Sequence, residues 1–356
     1  MIMAKVGVGL DIGAGGVKAV LVSGNKTFQV NRFAAVPLDE GALDAGVVVD
    51  RQAVVEAVRE VFRIGRIKQK RVVVAIAGQA VVVRHIKMPL MEDEEAANAI
   101  RWEAERYIPY PVDEVTLDYE IIGRNQEEGE MEVLLACAHN DIISSHLDVL
   151  WEAGLQPLAV DVQPFAMMRG LGIEYSRPAE SVAMLDIGAG GSDLVIAKAG
   201  IPYFTRILPV GGNRLTELVA KYTGLEKDEA KTVKETIGDA LVEPGQFSPE
   251  SREFQVNMGL REGLKDLALE LRRSFDYYQL QHKGENVSEL LLSGGTALLK
   301  NLPAFLTKEL EIKVRIGVYD ERLRCPQALL ERFSAQSPVY TVALGLAMRE
   351  VTGNED

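Results

Sequence analysis

Seven residues occur twice in this chain: Leu10-Asp11-Ile12-Gly13-Ala14-Gly15-Gly16 and, 175 positions later, Leu185-Asp186-Ile187-Gly188-Ala189-Gly190-Gly191. Each copy joins a carboxylate to a glycine-rich turn, a pairing suited to a metal-bound polyphosphate. Glycine accepts positive φ and leaves backbone N–H groups uncovered, so such a turn can close around phosphate oxygens. Aspartate is repelled by phosphate, but it can hold a Mg2+ ion, usually through water, that neutralises the phosphate. One glycine turn is ordinarily only a turn. Two Asp-bearing copies half a chain apart imply loops that face each other and clamp a triphosphate with its metal. A third glycine site, Ser293-Gly294-Gly295-Thr296, ends an apolar stretch and would let a base or a phosphate approach the backbone.

The surrounding pattern supplies elements to hold these groups. Apolar stretches at 6–10 and 17–22 flank the first turn, and stretches at 181–185 and 194–197 flank the second, which predicts two β-hairpins. A helix is expected over 297–310, directly after the third site. Between the two repeats, strands are expected at 71–77 and 81–88, turning at Gly78 and Gln79. A helix over 92–107 follows, stopped by Pro109 and Pro111. Strands at 116–122 and 131–138 flank an acidic turn, and a helix over 141–153 closes at Gly154. Trp102 and the tyrosines after it are expected to pack in a core. Leu260, Leu264, Leu267, Leu271, Phe275 and Tyr278 mark a long helix over 254–281, with the mixed charges of 261–273 on its solvated side.

At 356 residues, 47% hydrophobic and 26% charged, the chain suits a folded protein of two main domains. Its net charge of −13 argues against a nucleic-acid partner. Cys137, Cys325 and four histidines offer neither zinc spacing nor a disulfide framework, which fits reduced thiols in the cytosol. No apolar run reaches the roughly 18 residues needed to span a bilayer. Residues 1–8 do not read as a signal peptide, and the final Gly-Asn-Glu-Asp is no basic amphipathic helix, so direct membrane insertion is not expected. A P-loop is absent, and neither hairpin is followed by a Rossmann helix.

The order of the two hairpins and Ser293-Gly294-Gly295 resembles the phosphate 1, phosphate 2 and adenosine motifs of the actin superfamily. The segment Ile100-Arg101-Trp102-Glu103-Ala104-Glu105-Arg106-Tyr107-Ile108-Pro109-Tyr110-Pro111, then Leu117-Asp118-Tyr119, is similar to the PilM family of type IV pilus assembly proteins, relatives of FtsA. Gly78-Gln79-Ala80 and residues 83–89 add to that likeness. The resemblance implies an α/β, actin/Hsp70/hexokinase-like (ribonuclease H-like) duplicated fold with an FtsA-type inserted 1C subdomain. The implied division is 4–80 with 158–178 and 338–352 (1A), 81–157 (1C), 179–211 with 283–337 (2A), and 212–282 (2B).

It also implies ATP and Mg2+ as ligands. Gly13, Ala14, Gly15, Gly16 and Lys18 would wrap the β-phosphate side, and Gly188, Ala189, Gly190, Gly191 and Ser192 the γ-phosphate side. Asp11 and Asp186 would orient hydrated Mg2+, while Lys234, Gly294, Gly295 and Thr296 would meet the adenosine. Gln163 is the implied water-orienting residue, with Asp161 as its rival. A glutamine is a poor base, so at most slow ATP hydrolysis and no metabolic reaction is expected. Lys231 stands where relatives often carry a Glu, which removes the family's ribose carboxylate. The implied partner is the cytoplasmic N-terminal segment of PilN, with other inner-membrane pilus assembly proteins nearby and self-association left open. The implied location is cytoplasmic, peripheral to the inner membrane through PilN. A small-molecule kinase of the same fold and an FtsA-like filament former are the alternative readings.

Overall fold

The computed structural model describes residues 5–24, 27–242, 246–319 and 321–352. The expectations about residues 1–4 and the terminal 353–356 lie outside them. Strands β1 (Lys5–Gly13) and β2 (Gly16–Gly24) form the first expected hairpin, in register from Lys5↔Gly24 to Gly13↔Gly16. Strand β3 (Phe28–Pro37) continues the antiparallel meander. Helix α1 (Arg51–Gly65) starts where Asp50 accepts from the Ala53 amide and stops where Arg66 turns left-handed, φ 51°. Its apolar positions Val54, Val58, Val61 and Phe62 recur at three and four residues, and they are buried with Leu10, Ala19 and Val74.

Strand β4 (Arg71–Ile76) pairs parallel with β1. The chain then leaves for an insertion of β5 (Val81–Pro89), α2 (Asp93–Ala104), β6 (Val115–Asn125) and β7 (Glu130–His139). These strands form their own sheet, ordered β5-β7-β6, on which α2 buries Ala96, Ile100 and Ala104. That four-residue spacing points Trp102 the other way: it is 74% exposed, which corrects the expectation that it packs in a core. The helix also ends at Ala104, short of the expected 107.

Helix α3 (Asn140–Glu152) and strand β8 (Gln156–Val162) return to the first sheet. Val149 and Leu150 of α3 already sit in its core, so this return begins before residue 157, where the expected insertion ended.

After α4 (Gln163–Gly170), strands β9 (Ser181–Ile187), β10 (Ser192–Lys198) and β11 (Ile201–Leu208) repeat the meander, with β9 and β10 as the second expected hairpin. Helices α5 (Gly212–Thr223), α6 (Lys227–Ile237) and α7 (Arg252–Gln281) precede β12 (Val287–Ser293), α8 (Leu302–Leu310) and β13 (Lys313–Ile316). The second sheet runs β13-β12-β9-β10-β11, and the first contains β8-β4-β1-β2-β3 in the same relative order. The sequence repeat is therefore a repeat of topology. The helix expected over 297–310 is broken. A 3-10 turn, Gly295–Leu298, comes first, and left-handed Asn301 (φ 61°), whose amide group donates to Asp239, starts α8.

Strand β14 (Leu323–Arg324), α9 (Gln327–Gln336) and α10 (Thr341–Thr352) complete the described chain. Strand β14 pairs with β3, and Phe333 packs edge-on against Phe33 at 5.1 Å. This stretch therefore leaves the second sheet before residue 337, a departure from the expected division driven by burial of those rings. Helices α4 and α10 lie between the two sheets. Ala166, Val342 and Leu346 face the first, and Met167 and Met168 face the second. The helices approach closely because Gly345 has no side chain: a Cβ there would lie 1.8 Å from the Ala166 carbonyl oxygen. The inserted sheet leans on β11, where Thr205 Oγ1 donates to the Val83 carbonyl at 3.3 Å and His85 meets Tyr203 edge-on at 4.5 Å. Among the described residues no helix is long and apolar enough to cross a membrane.

Candidate functional site

The two hairpin turns meet tip to tip. A Cβ on Gly15 would lie 2.9 Å from that of Ala189, and a Cβ on Gly190 would lie 3.4 Å from that of Ala14. The duplicated topology produces this, because β1–β2 and β9–β10 occupy the same place in each sheet and point their turns at one another. Among the described residues, the amides of Ala14, Gly15, Ala189, Gly190 and Gly191 donate to no backbone carbonyl. These uncovered donors are the ones a phosphate would require. The second turn is tied to α5, since the Gly212 and Asn213 amides donate to the Gly188 and Ala189 carbonyls at 2.8 and 2.9 Å. Ser192 is buried and donates to the Val210 carbonyl, so its hydroxyl serves the scaffold.

Carboxylates crowd behind the turns. Asp11 is paired with Lys18 at 3.1 Å, directly across the first hairpin. Asp186 is buried and accepts from Ser293 Oγ at 2.9 Å. Burial, then the negative charge of Asp11, pushes its carboxyl up to about 6. Asp193, cross-strand from Asp186, was not singled out from the sequence. Burial and the charges of Asp186 and Asp11 push it up to about 7. The 175-residue offset could have found it, because position 193 is the counterpart of Lys18 with the charge reversed.

Three aspartates with one lysine among them leave uncompensated negative charge, which fits a hydrated divalent cation. Among the described residues no group of three acidic, His or Cys side chains stands close enough to hold an ion alone. A cation at Asp11 and Asp186 would therefore need water and phosphate oxygens to complete its shell.

The structure separates the two candidates for orienting water. Gln163 begins α4, half-buried, and its Nε2 donates to Asp193 Oδ2 at 3.2 Å. Asp161 is 3% exposed and is held by Arg169 at 3.1 Å and Arg349 at 3.0 Å, so it anchors α4 to α10 and is not free to act on a ligand. Asp193 also lines a cavity of about 280 Å3 between the inserted sheet and β11, with Gln79, Arg84, Pro164 and Thr205 on its walls.

On the other side of the second turn, Lys234 Nζ donates to the Gly212 carbonyl at 2.9 Å and to Thr216 Oγ1 at 2.8 Å. Burial pulls this lysine down to about 8. Thr296 faces the same spot, its Oγ1 2.9 Å from where a Gly212 Cβ would stand. Gly294 (φ 86°) and exposed Gly295 form the neighbouring edge. Lys231, one turn earlier on α6, is exposed to solvent. Lys234, Gly294, Gly295 and Thr296 are thus brought together beside the hairpins.

Comparison with known proteins bears on the family and the fold. The family description "Type IV pilus assembly protein PilM" matches residues 9–351. The solved PilM-PilN type IV pilus biogenesis complex is similar at 32% identity, with 97% of this chain and 98% of that one covered and a TM-score of 0.84. The cell division protein FtsA of Escherichia coli is 25% identical over 96% of this chain and 89% of its own length. MreB5 of Spiroplasma citri bound to ADP, at 15% identity over 96% of this chain and 94% of its own, superposes with a TM-score of 0.53. The last likeness supports the actin-like fold alone.

Proposed function

Because the chain belongs to the family of the type IV pilus assembly protein PilM, we propose that it binds Mg-ATP between its two hairpins and docks the cytoplasmic N-terminal segment of PilN at the inner membrane. The observation that carries the nucleotide half is the pair of facing turns, with their uncovered amides in front and their unbalanced aspartates behind. Amides of Ala14 and Gly15, framed by the paired Gly13 and Gly16, take the β-phosphate side, with Lys18 as a point charge. Amides of Ala189 to Gly191 take the γ-phosphate side, with Gly188 closing the turn through its own amide to the Gly191 carbonyl. Asp11 and Asp186 hold the hydrated Mg2+, which supplies neutralisation of the phosphate oxygens. Gln163 orients water, and Asp193, matched to neutral pH, is placed to accept its proton. One glutamine and one half-buried carboxyl suit slow hydrolysis better than rapid turnover.

The partner half is supported by the 32% identity to a chain solved with PilN. Nucleotide sensitivity has a physical route. Asp193 pairs with Ile207 of β11, two residues from Thr205, which bonds the inserted sheet. Movement of the second hairpin is therefore felt where that sheet rests. Calorimetric titration with a peptide copying the PilN N-terminus of the same organism tests this, with and without Mg-ATP. Micromolar peptide binding that changes with ATP, and loses the change in Asp11→Ala, is the expected result. ATP binding without peptide binding would sink the adaptor reading.

Lys234 predicts a pH dependence of its own. Its ammonium form favours an anionic ligand and is lost as pH rises through about 8. Mg-ATP affinity is expected to fall by about tenfold between roughly pH 7 and 9, about 1.4 kcal/mol. The Lys234→Met protein should bind about tenfold more weakly at neutral pH and show little further fall. An unchanged pH profile in that variant would remove Lys234 from the site.

A further inference from the structure

Four aromatic rings run in a row across the seam between the inserted sheet and the second half. His85 of β5 meets Tyr203 of β11 edge-on at 4.5 Å, Tyr203 meets His282 edge-on at 5.6 Å, and His282 lies tilted over Tyr278 at 4.3 Å. Tyr278 is anchored in turn, its hydroxyl 2.9 Å from Ser181 Oγ at the start of β9. Two of the chain's four histidines thus stand on either side of one tyrosine, one on each body. Beside the row Thr205 donates to the Val83 carbonyl at 3.3 Å, and a cavity of about 280 Å3 leaves part of the seam unpacked.

Histidine is the side chain that ordinarily changes charge near neutral pH. That of His85 is 9% exposed, and burial draws it below its ordinary value although Glu132 Oε2, 3.2 Å away, favours its charged form. Burial first, and then the neighbouring His85, draw His282 down as well.

We propose that this ring row is a proton-sensitive joint, closed while both histidines are neutral and opened, with the inserted sheet released from β11, when they take up protons. What decides the direction is which neighbours each charge keeps on opening. Glu132 lies on β7 of the same sheet as His85, and Lys87, Glu128 and Glu130 move with that sheet too. Glu285 and Lys198, an ion pair near His282, belong to the second half. These groups act on their own histidine in the open and closed forms alike, so they cannot hold the joint. What the closed form alone bears is the desolvation of imidazolium at the seam and the repulsion of two cations across one ring. The Tyr203 face returns part of that as a cation–π contact, but one ring cannot replace the water shells of two cations. Asp193, on the wall of the same cavity, works the other way: raised to about 7, it sheds charge as pH falls. Arg84 adds a constant positive charge to that wall. The inserted sheet stays seated on the first half throughout, where Val83 and Ala138 pack with Ile76 and Val162.

Histidines held below their ordinary value bind fewer protons in the closed form than in the open one. Closure is therefore at full strength above about pH 6.5 and weakens as pH falls below it. Each proton taken up by the open form alone raises its share by up to about tenfold per pH unit. The joint lies outside the phosphate and adenosine sites, so it stands apart from ATP binding.

Spin labels at Glu120→Cys and Leu280→Cys, both exposed and flanking the row, measure the seam in the nucleotide-free full chain by electron–electron double resonance. Cys325→Ser removes the other accessible thiol, and Cys137 is buried. The parent should show one narrow distance at about pH 7.5 and a second, longer one whose share rises at least about tenfold by about pH 5.5. His85→Phe/His282→Phe keeps the rings without the charge and should hold that share within about threefold over the same range. His85→Lys places a cation at the seam and should open it already at about pH 7.5. A parent whose distance ignores pH overturns the proposal. So does opening that persists in the phenylalanine pair, which would assign it to another group such as His139 or Asp193, or a folded His85→Lys protein that stays closed. If the lysine variant does not fold, the phenylalanine pair carries the test alone.

Discussion

A Gly15→Val protein is expected to lose Mg-ATP affinity by about a hundredfold or more and still unfold within a few degrees of the parent. The argument begins with what the residue touches. Gly15 is exposed at the tip of the first turn, outside every core cluster, and its backbone does not occupy the left-handed region that only glycine tolerates. A side chain there is therefore compatible with the hairpin. It is not compatible with the facing hairpin, because even a Cβ would stand 2.9 Å from the Ala189 Cβ. Alanine can be absorbed by a small shift, and its effect should be intermediate. Valine's branched methyl groups must wedge the turns apart or swing over the uncovered amides, and either displaces donors that phosphate needs within hydrogen-bond reach. A hundredfold loss is about 2.7 kcal/mol, within what two or three charge-assisted bonds to a phosphate are worth. Titration calorimetry and thermal unfolding on the same preparations separate the two effects. Binding within threefold of the parent would mean that the nucleotide does not lie between these turns.

The hairpins were legible because both copies keep the same residues, and period and turn chemistry agree locally. The common strand order of the two sheets followed from that repeat. Asp193 was harder. The repeat itself stops at Gly191, and two positions later the halves diverge in sign, Lys18 in one and Asp193 in the other. What a residue contributes there depends on its cross-strand neighbour, Asp11 in one half and Asp186 in the other. Trp102 misled for a different reason. Burial is the usual fate of an indole, but Ala96, Ile100 and Ala104 fill the inner face of α2 and leave position 102 no inward direction. The late return of β14 to the first sheet could not be read either, because a two-residue strand has no periodicity. The contacts that place it, Phe333 and Tyr340 on Phe33, join residues some 300 positions apart.

The nucleotide-free Asp193→Asn protein is expected to be more stable than the parent at about pH 8, by on the order of 2 kcal/mol or a few degrees in unfolding temperature. Asp193 ordinarily titrates near 3.8 and in the fold is pushed up to about 7, through burial first and then the charges of Asp186 and Asp11. A carboxyl raised in the native state binds more protons there than in the unfolded chain. Its stabilising, protonated form is fully present below about 4 and is lost as pH rises through about 7. The full shift would correspond to about 4 kcal/mol, but Asp193 borders a cavity reached by water, which screens the charge and halves the expectation. Asparagine cannot ionise, yet its carbonyl can still accept from Gln163, so packing and the hydrogen bond survive. The difference in stability between variant and parent should therefore grow from near zero at about pH 4 to its maximum above about pH 7.5. Asp186, raised to about 6 by its own burial and then by the charge of Asp11, remains in both proteins. A constant difference across that pH window would show that Asp193 carries no strained charge. In that case the three aspartates would lose their claim to be a site waiting for a cation.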